Sequence, residues 1–292
     1  MPSNTKSARL FRLPDQRRNE LCDLADFIAN DHFANRRIEP AELADKKGIP
    51  IKFNHYGDSF DGALEHKAGR FFIYINLDRV ERPSSPRARF TLGHELGHYF
   101  IDDHRNALCS GSMPSHPSKC EFESRNPVEM EADHFASCLL MPATRFVAKA
   151  KKCSVGWQGI QTLCDEFGTS RTSTAVRYVS LNPRPCAIIK WNTDGYGWKW
   201  LSTSFFAARL RRTIEDTDRI AIGSATAKAL SGEEPGSRGF FQNGSIASAW
   251  FPCIRPGTTL DVILIEEAIP IGRFGVLTLL YPESGSLPQI DW

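Results

Sequence analysis

The stretch Thr91-Leu92-Gly93-His94-Glu95-Leu96-Gly97-His98-Tyr99-Phe100 reads H-E-x-x-H. Histidines four positions apart share one face of a helix, so the imidazoles of His94 and His98 can reach a single metal ion. Glu95 follows the first histidine directly and is free of that duty. It is placed to act as general base toward a water at the open position of a catalytic zinc. Phe90, Leu92, Leu96, Tyr99, Phe100 and Ile101 fit a buried helix running through the motif. That context separates a metal site from two core histidines satisfied by hydrogen bonds.

A catalytic zinc takes three protein ligands and keeps a fourth position open. Two residues compete for the third place. His104, six positions after His98, has the spacing of H-E-x-x-H-x-x-G-x-x-H, in which the glycine turns the chain back toward the metal. Here that position is Ile101, a β-branched residue poorly suited to a positive φ. His104 is then a cleft or loop histidine. Glu129 opens Glu129-Met130-Glu131-Ala132-Asp133-His134-Phe135-Ala136, where Glu129 and Asp133 are four apart on one helix face. In that arrangement Glu129 binds the metal, and Asp133 accepts a proton from a ligand histidine and fixes its tautomer. Ala132 and Ala136 suit close packing against the H-E-x-x-H helix, while Glu131 points to solvent and His134 to the rim.

The 292 residues have room for one large or two ordinary domains, and a net charge of +2 names no partner. No apolar run approaches the roughly 18–20 residues that span a bilayer, so no membrane role is expected. The basic start MPSNTKSARLFRLPDQRRNE lacks the apolar core of a secretory signal. The eight cysteines, irregularly spaced and without a C-x-x-C pair, read as reduced thiols of a cytoplasmic chain.

The expected fold is α+β. Residues 1–183 form a helical zinc-metallopeptidase domain with a small antiparallel sheet, and residues 184–292 form a mixed α+β sensor or regulatory domain. Helical spacing runs over about 15–34 and 40–47, a strand over 49–53, and a hairpin through 61–76 turning at Lys67–Arg70. The edge of such a sheet can hold an extended substrate by main-chain pairing. Residues 105–125, rich in Ser, Pro, Gly and Cys, read as a long loop beside the site. A helix follows over Pro127 to Leu140. Segments 157–167 and 171–180 read as two core helices of the first domain, with a helix-turn-helix as the rival. Beyond Asn182-Pro183-Arg184-Pro185 come strands at 186–191, 197–202, 245–251, 259–265 and 274–281, and a helix near 224–231.

Asp61-Gly62-Ala63, Ile73-Tyr74-Ile75-Asn76, the run Arg89 to His98 and the run Glu129 to Pro142 together resemble the ImmA/IrrE metallopeptidase family. The pairing of R-F-T-L-x-H-E-x-G-H with E-x-E-A-x-x-F-A-x-x-L-L-M-P is far more specific than H-E-x-x-H alone. The resemblance implies Zn2+ on His94, His98 and Glu129, and Glu95 as catalytic base. Asp133 stands where many members have Asn, a change that still permits the hydrogen bond to a ligand histidine. It further implies cleavage of a helix-turn-helix repressor to induce stress, mobile-element or phage-defence genes, and a C-terminal domain similar to GAF domains.

A repressor protease needs control. Cys109, eleven residues past His98, could occupy the fourth zinc position as an inhibitory thiolate, with Cys120 the weaker alternative. His104, His116, His134 and Tyr99 are candidates to stabilise the oxyanion. The activating signal is read as a small molecule or as single-stranded DNA. The latter would be held by Arg209, Arg211 and Arg212 with Trp191, Trp198 and Trp200 as stacking faces. The alternative function is a non-proteolytic regulator that binds DNA or a repressor, including a toxin–antitoxin partner that binds without cutting.

Overall fold

Lys67 and Arg70 pair across a two-residue turn whose central residues, Ala68 and Gly69, both have positive φ (49° and 73°). Such a turn matches the right-handed twist of the flanking strands and sets the register of the hairpin. The computed structural model describes residues 13–34, 36–112, 116–118, 126–208, 210, 213–251 and 262–287. The chain divides into two compact units, residues 1–146 with 163–170, and residues 147–162 with 171–292.

The first unit begins with α1 (Asp15–Phe33), α2 (Pro40–Lys46), β1 (Ile51–Asn54), β2 (Gly62–Lys67), β3 (Arg70–Asn76) and α3 (Leu77–Val80). It continues through α4 (Pro86–Phe100), α5 (Asp102–Cys109), β4 (His116–Ser118) and α6 (Pro127–Leu140). Its sheet runs β1-β3-β2-β4. The sheet is mixed rather than purely antiparallel: β1 lies parallel to β3, in register from Ile51 on Ile73 to Asn54 on Asn76. Local hairpin signals reveal β2 on β3 but say nothing of β1, whose partner lies about 20 residues downstream. Leu64, Ile73 and Ile75 bury one face of the sheet in a core shared with Leu21, Ile28 and Phe33 of α1, Leu92 and Leu96 of α4, and Phe135 and Leu139 of α6.

The two helices that matter most are fixed at their starts by their own sequence. Ser85 accepts from the backbone N–H of Ala88 at 3.1 Å with Pro86 in the first turn of α4. Asn126 accepts from Val128 at 3.1 Å ahead of Pro127 in α6. A side-chain cap plus proline at the first turn is the pattern that defines a helix start.

α7 (Ala143–Ala150) and α8 (Trp157–Phe167) each contribute residues to both compact units, while α9 (Arg171–Leu181) belongs to the second. Ser173, Thr174, Ala175, Arg177, Tyr178 and Val179 of α9 are buried, while Arg171 and Ser180 are exposed.

The second unit adds β5 (Ala187–Asn192), β6 (Gly195–Leu201), α10 (Thr203–Ala207), α11 (Ala225–Leu230), β7 (Phe241–Ile246), α12 (Ala247–Trp250), β8 (Ile263–Pro270) and β9 (Val276–Pro282). Its antiparallel sheet has the order β6-β5-β9-β8-β7. Trp191, Leu264 and Leu280 pack with Phe205 of α10, Ala225 and Ala229 of α11, and Trp250. The strand expected at 245–251 ends at Ile246, and Ala247–Trp250 turn into a helix that buries Ala247 and Trp250.

Three expectations change. Residues 102–109 are helical, because His104 and Leu108, four apart, bury one side of α5, and Arg105 pairs with Asp102 at 2.6 Å. Cys22 and Cys138, their Cα atoms 5.3 Å apart, are joined as a disulfide rather than left as separate thiols. A pairing across 116 residues leaves no trace in the spacing of the cysteines. Trp191 and Trp198 are buried and Trp200 is half-buried, so the tryptophans do not form an open stacking platform. Arg209, Arg211, Arg212 and Cys120 lie outside the described residues. No described helix is long and apolar enough to cross a membrane.

Candidate metal centre

α4 carries His94, Glu95 and His98, and all three are buried. α6 crosses it where both helices present small residues. A Cβ built on Gly97 would come within 3.2 Å of the Ala132 Cα and of Phe135, and one on Gly93 would touch Ala136 at 3.5 Å. Side chains of ordinary size there would hold the helices apart. The close approach brings Glu129, in the first turn of α6, against both histidines.

The donor atoms converge. His94 Nε2 and His98 Nε2 are 3.1 Å apart. Glu129 places Oε2 3.3 Å from His94 Nε2 and Oε1 3.3 Å from His98 Nε2. These are close to the edges, about 3.3 Å, of a tetrahedron with metal–ligand bonds of about 2.0–2.1 Å. The remaining ring nitrogens face away from this point and are held. His94 Nδ1 lies 2.8 Å from Asp133 Oδ1, and His98 Nδ1 lies 3.1 Å from His104 Nδ1. With each Nδ1 as the donor, both Nε2 atoms present lone pairs to each other and to a carboxylate. Facing lone pairs in a buried place repel unless a cation sits between them. The residues fit a metal ion.

Burial pushes His98 down to about 3 against the weaker upward pull of Glu129, so its ring is neutral and able to ligate. Burial likewise lowers His104, and it raises the Asp133 carboxyl although the hydrogen bond from His94 opposes this.

His104 thus lies beside the converging side chains of His94, His98 and Glu129, not among them: its ring backs His98, and its Nε2 is 3.3 Å from Glu131 Oε2. Glu131 does not point freely to solvent, since it also pairs with Arg17 at 2.6 Å. The chain Arg17–Glu131–His104–His98 escaped the sequence reading. Its signal was the (i, i+4) burial of His104 and Leu108. His134 is no rim residue either; its Nε2 lies 3.4 Å from Cys22 Sγ. Tyr99 packs edge-on against the rings of Phe71 and Phe100. Of the four oxyanion candidates, His104 and His134 have other partners, the ring of Tyr99 packs against Phe71 and Phe100, and the side chain of His116 lies outside the described residues. Cys109 ends α5 with an exposed thiol and joins neither group of potential metal ligands among the described residues.

Gly62, at the start of β2, is the other residue that shapes the site. A Cβ there would stand 2.5 Å from Thr91 Cγ2 and 2.7 Å from Glu95 Oε1, so only glycine lets β2 approach the carboxylate. The adjacent Asp61 is fully buried and held by Arg79 at 2.8 Å and Arg87 at 2.7 Å, which fixes the entry of the strand. β4 pairs with β2 from Gly62 on Ser118 to Leu64 on His116. The sheet edge on the side of the site therefore belongs to β4, not β2.

A helix bearing two histidines, a second bearing a glutamate, and a strand against the intervening carboxylate are the frame of a metallopeptidase site. Residues 44–178 match a peptidase family model described as IrrE N-terminal-like domain, which supports the ImmA/IrrE resemblance for this part of the chain. A solved structure described as a Mycobacterium tuberculosis transcriptional regulator has a similar fold, with a TM-score of 0.60 at 14% identity over 92% of this chain and 91% of its own. No curated protein matches the chain.

Proposed function

We propose that the chain is a zinc-dependent endopeptidase that cuts a helix-turn-helix transcriptional repressor. The observation that carries this reading is the convergence of His94, His98 and Glu129 within 3.3 Å beside the buried Glu95. Zinc at that point would polarise a water and the scissile carbonyl. Glu95 takes the proton of the water and returns it to the leaving amine. Asp133 and His104 hold the ligand rings in the tautomer that leaves Nε2 free. An extended substrate segment pairs with the sheet edge formed by β4, or takes its place on β2.

The five-stranded antiparallel sheet of the second unit supports a sensor-like reading of residues 184–292, with GAF-like architecture as its finer form. Trp191 and Trp198 are core residues, which favours a small molecule over single-stranded DNA as the activating signal. A cytoplasmic location and induction of stress or phage-defence genes belong to the same proposal. Inhibition through Cys109 would require the end of α5 to unwind. A Cys109→Ser variant with unchanged basal cleavage disposes of that switch.

Metal analysis and incubation with a helix-turn-helix repressor encoded near the gene test the reading. Wild type should hold zinc and cut, and Glu95→Gln should hold zinc and cut about 10²–10⁴-fold more slowly. A Glu95→Gln variant that cuts at the wild-type rate overturns the mechanism. The second reading, a regulator that binds without cutting, draws on the description of the structural neighbour as a transcriptional regulator. It is favoured if wild type holds zinc and binds the repressor but leaves it intact.

A further inference from the structure

α6 presents a second convergent set on another side. His134 and Cys138, four apart on α6, share a face as His94 and His98 do on α4. α1 packs on this face and brings Cys22 to it. His134 Nε2 is 3.4 Å from Cys22 Sγ, 3.7 Å from Cys138 Sγ and 3.1 Å from the Arg18 carbonyl oxygen. In a tetrahedral site with metal–nitrogen bonds of about 2.0–2.1 Å and metal–sulfur bonds of about 2.3 Å, nitrogen and sulfur are about 3.6 Å apart. Both nitrogen–sulfur distances fall near that value. Cys138 is buried, and Cys22 and His134 are half-buried.

We propose that Cys22, His134 and Cys138 form a second metal site, suited to a thiophilic ion that accepts tetrahedral coordination such as Zn2+, when the two cysteines are reduced. Two thiolates and an imidazole are a soft donor set that discriminates against magnesium and calcium. The Arg18 carbonyl or a water completes the tetrahedron. The disulfide and the metal-bound dithiolate are two states of one cluster. Reduction by a phosphine breaks the sulfur–sulfur bond: phosphorus gives two electrons and takes oxygen from water, and the two protons of that water end on the thiols. Metal binding then releases both thiol protons. The site ties α1 to α6, the helix that carries Glu129 and Asp133, and so braces the third ligand of the first centre. Its existence does not depend on the peptidase reading.

The test uses the full chain, reduced with a phosphine and loaded with Zn2+ or Co2+. Wild type should bind two metal ions per chain. The cobalt form should show thiolate-to-cobalt charge-transfer absorption in the near ultraviolet, which a site of two imidazoles and a carboxylate cannot produce. Cys22→Ser should lose one ion and that absorption. His94→Gln should lose the other ion and keep it. The proposal is overturned if reduced wild type, with all eight cysteines titratable, binds one ion without the absorption. It is equally overturned if the absorption survives in Cys22→Ser. If Cys22→Ser does not fold, wild type and His94→Gln decide. Two ions bound with no cleavage of any repressor would sink the peptidase and leave this site standing.

Discussion

Both compact units bury carboxylates, and they do so in opposite ways. In the second unit Glu267 accepts from the Trp157 backbone at 2.6 Å and from the Tyr281 hydroxyl at 2.7 Å, and Glu266 accepts from the Thr226 backbone at 2.6 Å. Glu267 is held through both oxygens by neutral donors, Glu266 is held through Oε1 while its Oε2 is buried without a hydrogen-bond partner among the described residues, and burial raises both above the usual carboxylate range. In the first unit Glu129 faces the ring nitrogens His94 Nε2 and His98 Nε2, whose protons are directed elsewhere. Burial alone does not mark a functional carboxylate. A set of lone pairs aimed at one point, with the donors turned outward, does.

Five substitutions would break or sharpen this contrast. The largest effect is expected for Glu129→Ala, which removes one of the three proposed ligands. Bound zinc at the first centre and cleavage should both be lost, and retention of zinc by His94 and His98 alone would refute the convergence argument. Gly62→Ala comes next. Its methyl group would press on Thr91 and Glu95, and displacing the carboxylate by about 1 Å can cost up to about 10²-fold in rate. Zinc content should change little while the clash lowers the unfolding midpoint, so a loss of metal rather than rate would contradict the assignment.

Asp133→Ala and His104→Ala should each weaken zinc about 10–100-fold, the usual penalty for removing the group that orients a ligand histidine. Competition with a chelator measures it, and equal effects of the two are expected because each holds one ring. The smallest effect lies in the second unit. Burial raises the Glu266 carboxyl above its ordinary 4.5 in the folded state. Its contribution to stability is therefore present below pH 4.5 and lost as pH rises through the folded value. Glu266→Gln, which does not ionise, should gain on wild type by on the order of 1 kcal/mol between pH 5 and pH 8. Urea midpoints at the two pH values report it. No gain at pH 8 would mean that Glu266 carries its charge without penalty, as a ligand-binding group would.

Much of the first unit was legible because its signals are local. Four-residue spacings place His94 with His98 and Glu129 with Asp133. The positive-φ pair at Ala68 and Gly69 sits where the hairpin was expected to turn. The second unit was read less well. There the run from Ser245 to Phe251 changes from strand to helix at Ala247.

The sequence by itself determined which side chains share a helix face, and with that the chemistry available at the first centre. Tertiary structure alone decided that His104 backs His98, that Gly62 lies against Glu95, and that Cys22 meets His134 and Cys138. Spacing along one helix follows from its 3.6-residue turn. Contacts between helices depend on their separation and crossing, which here are set by Gly93, Gly97, Ala132 and Ala136 acting together.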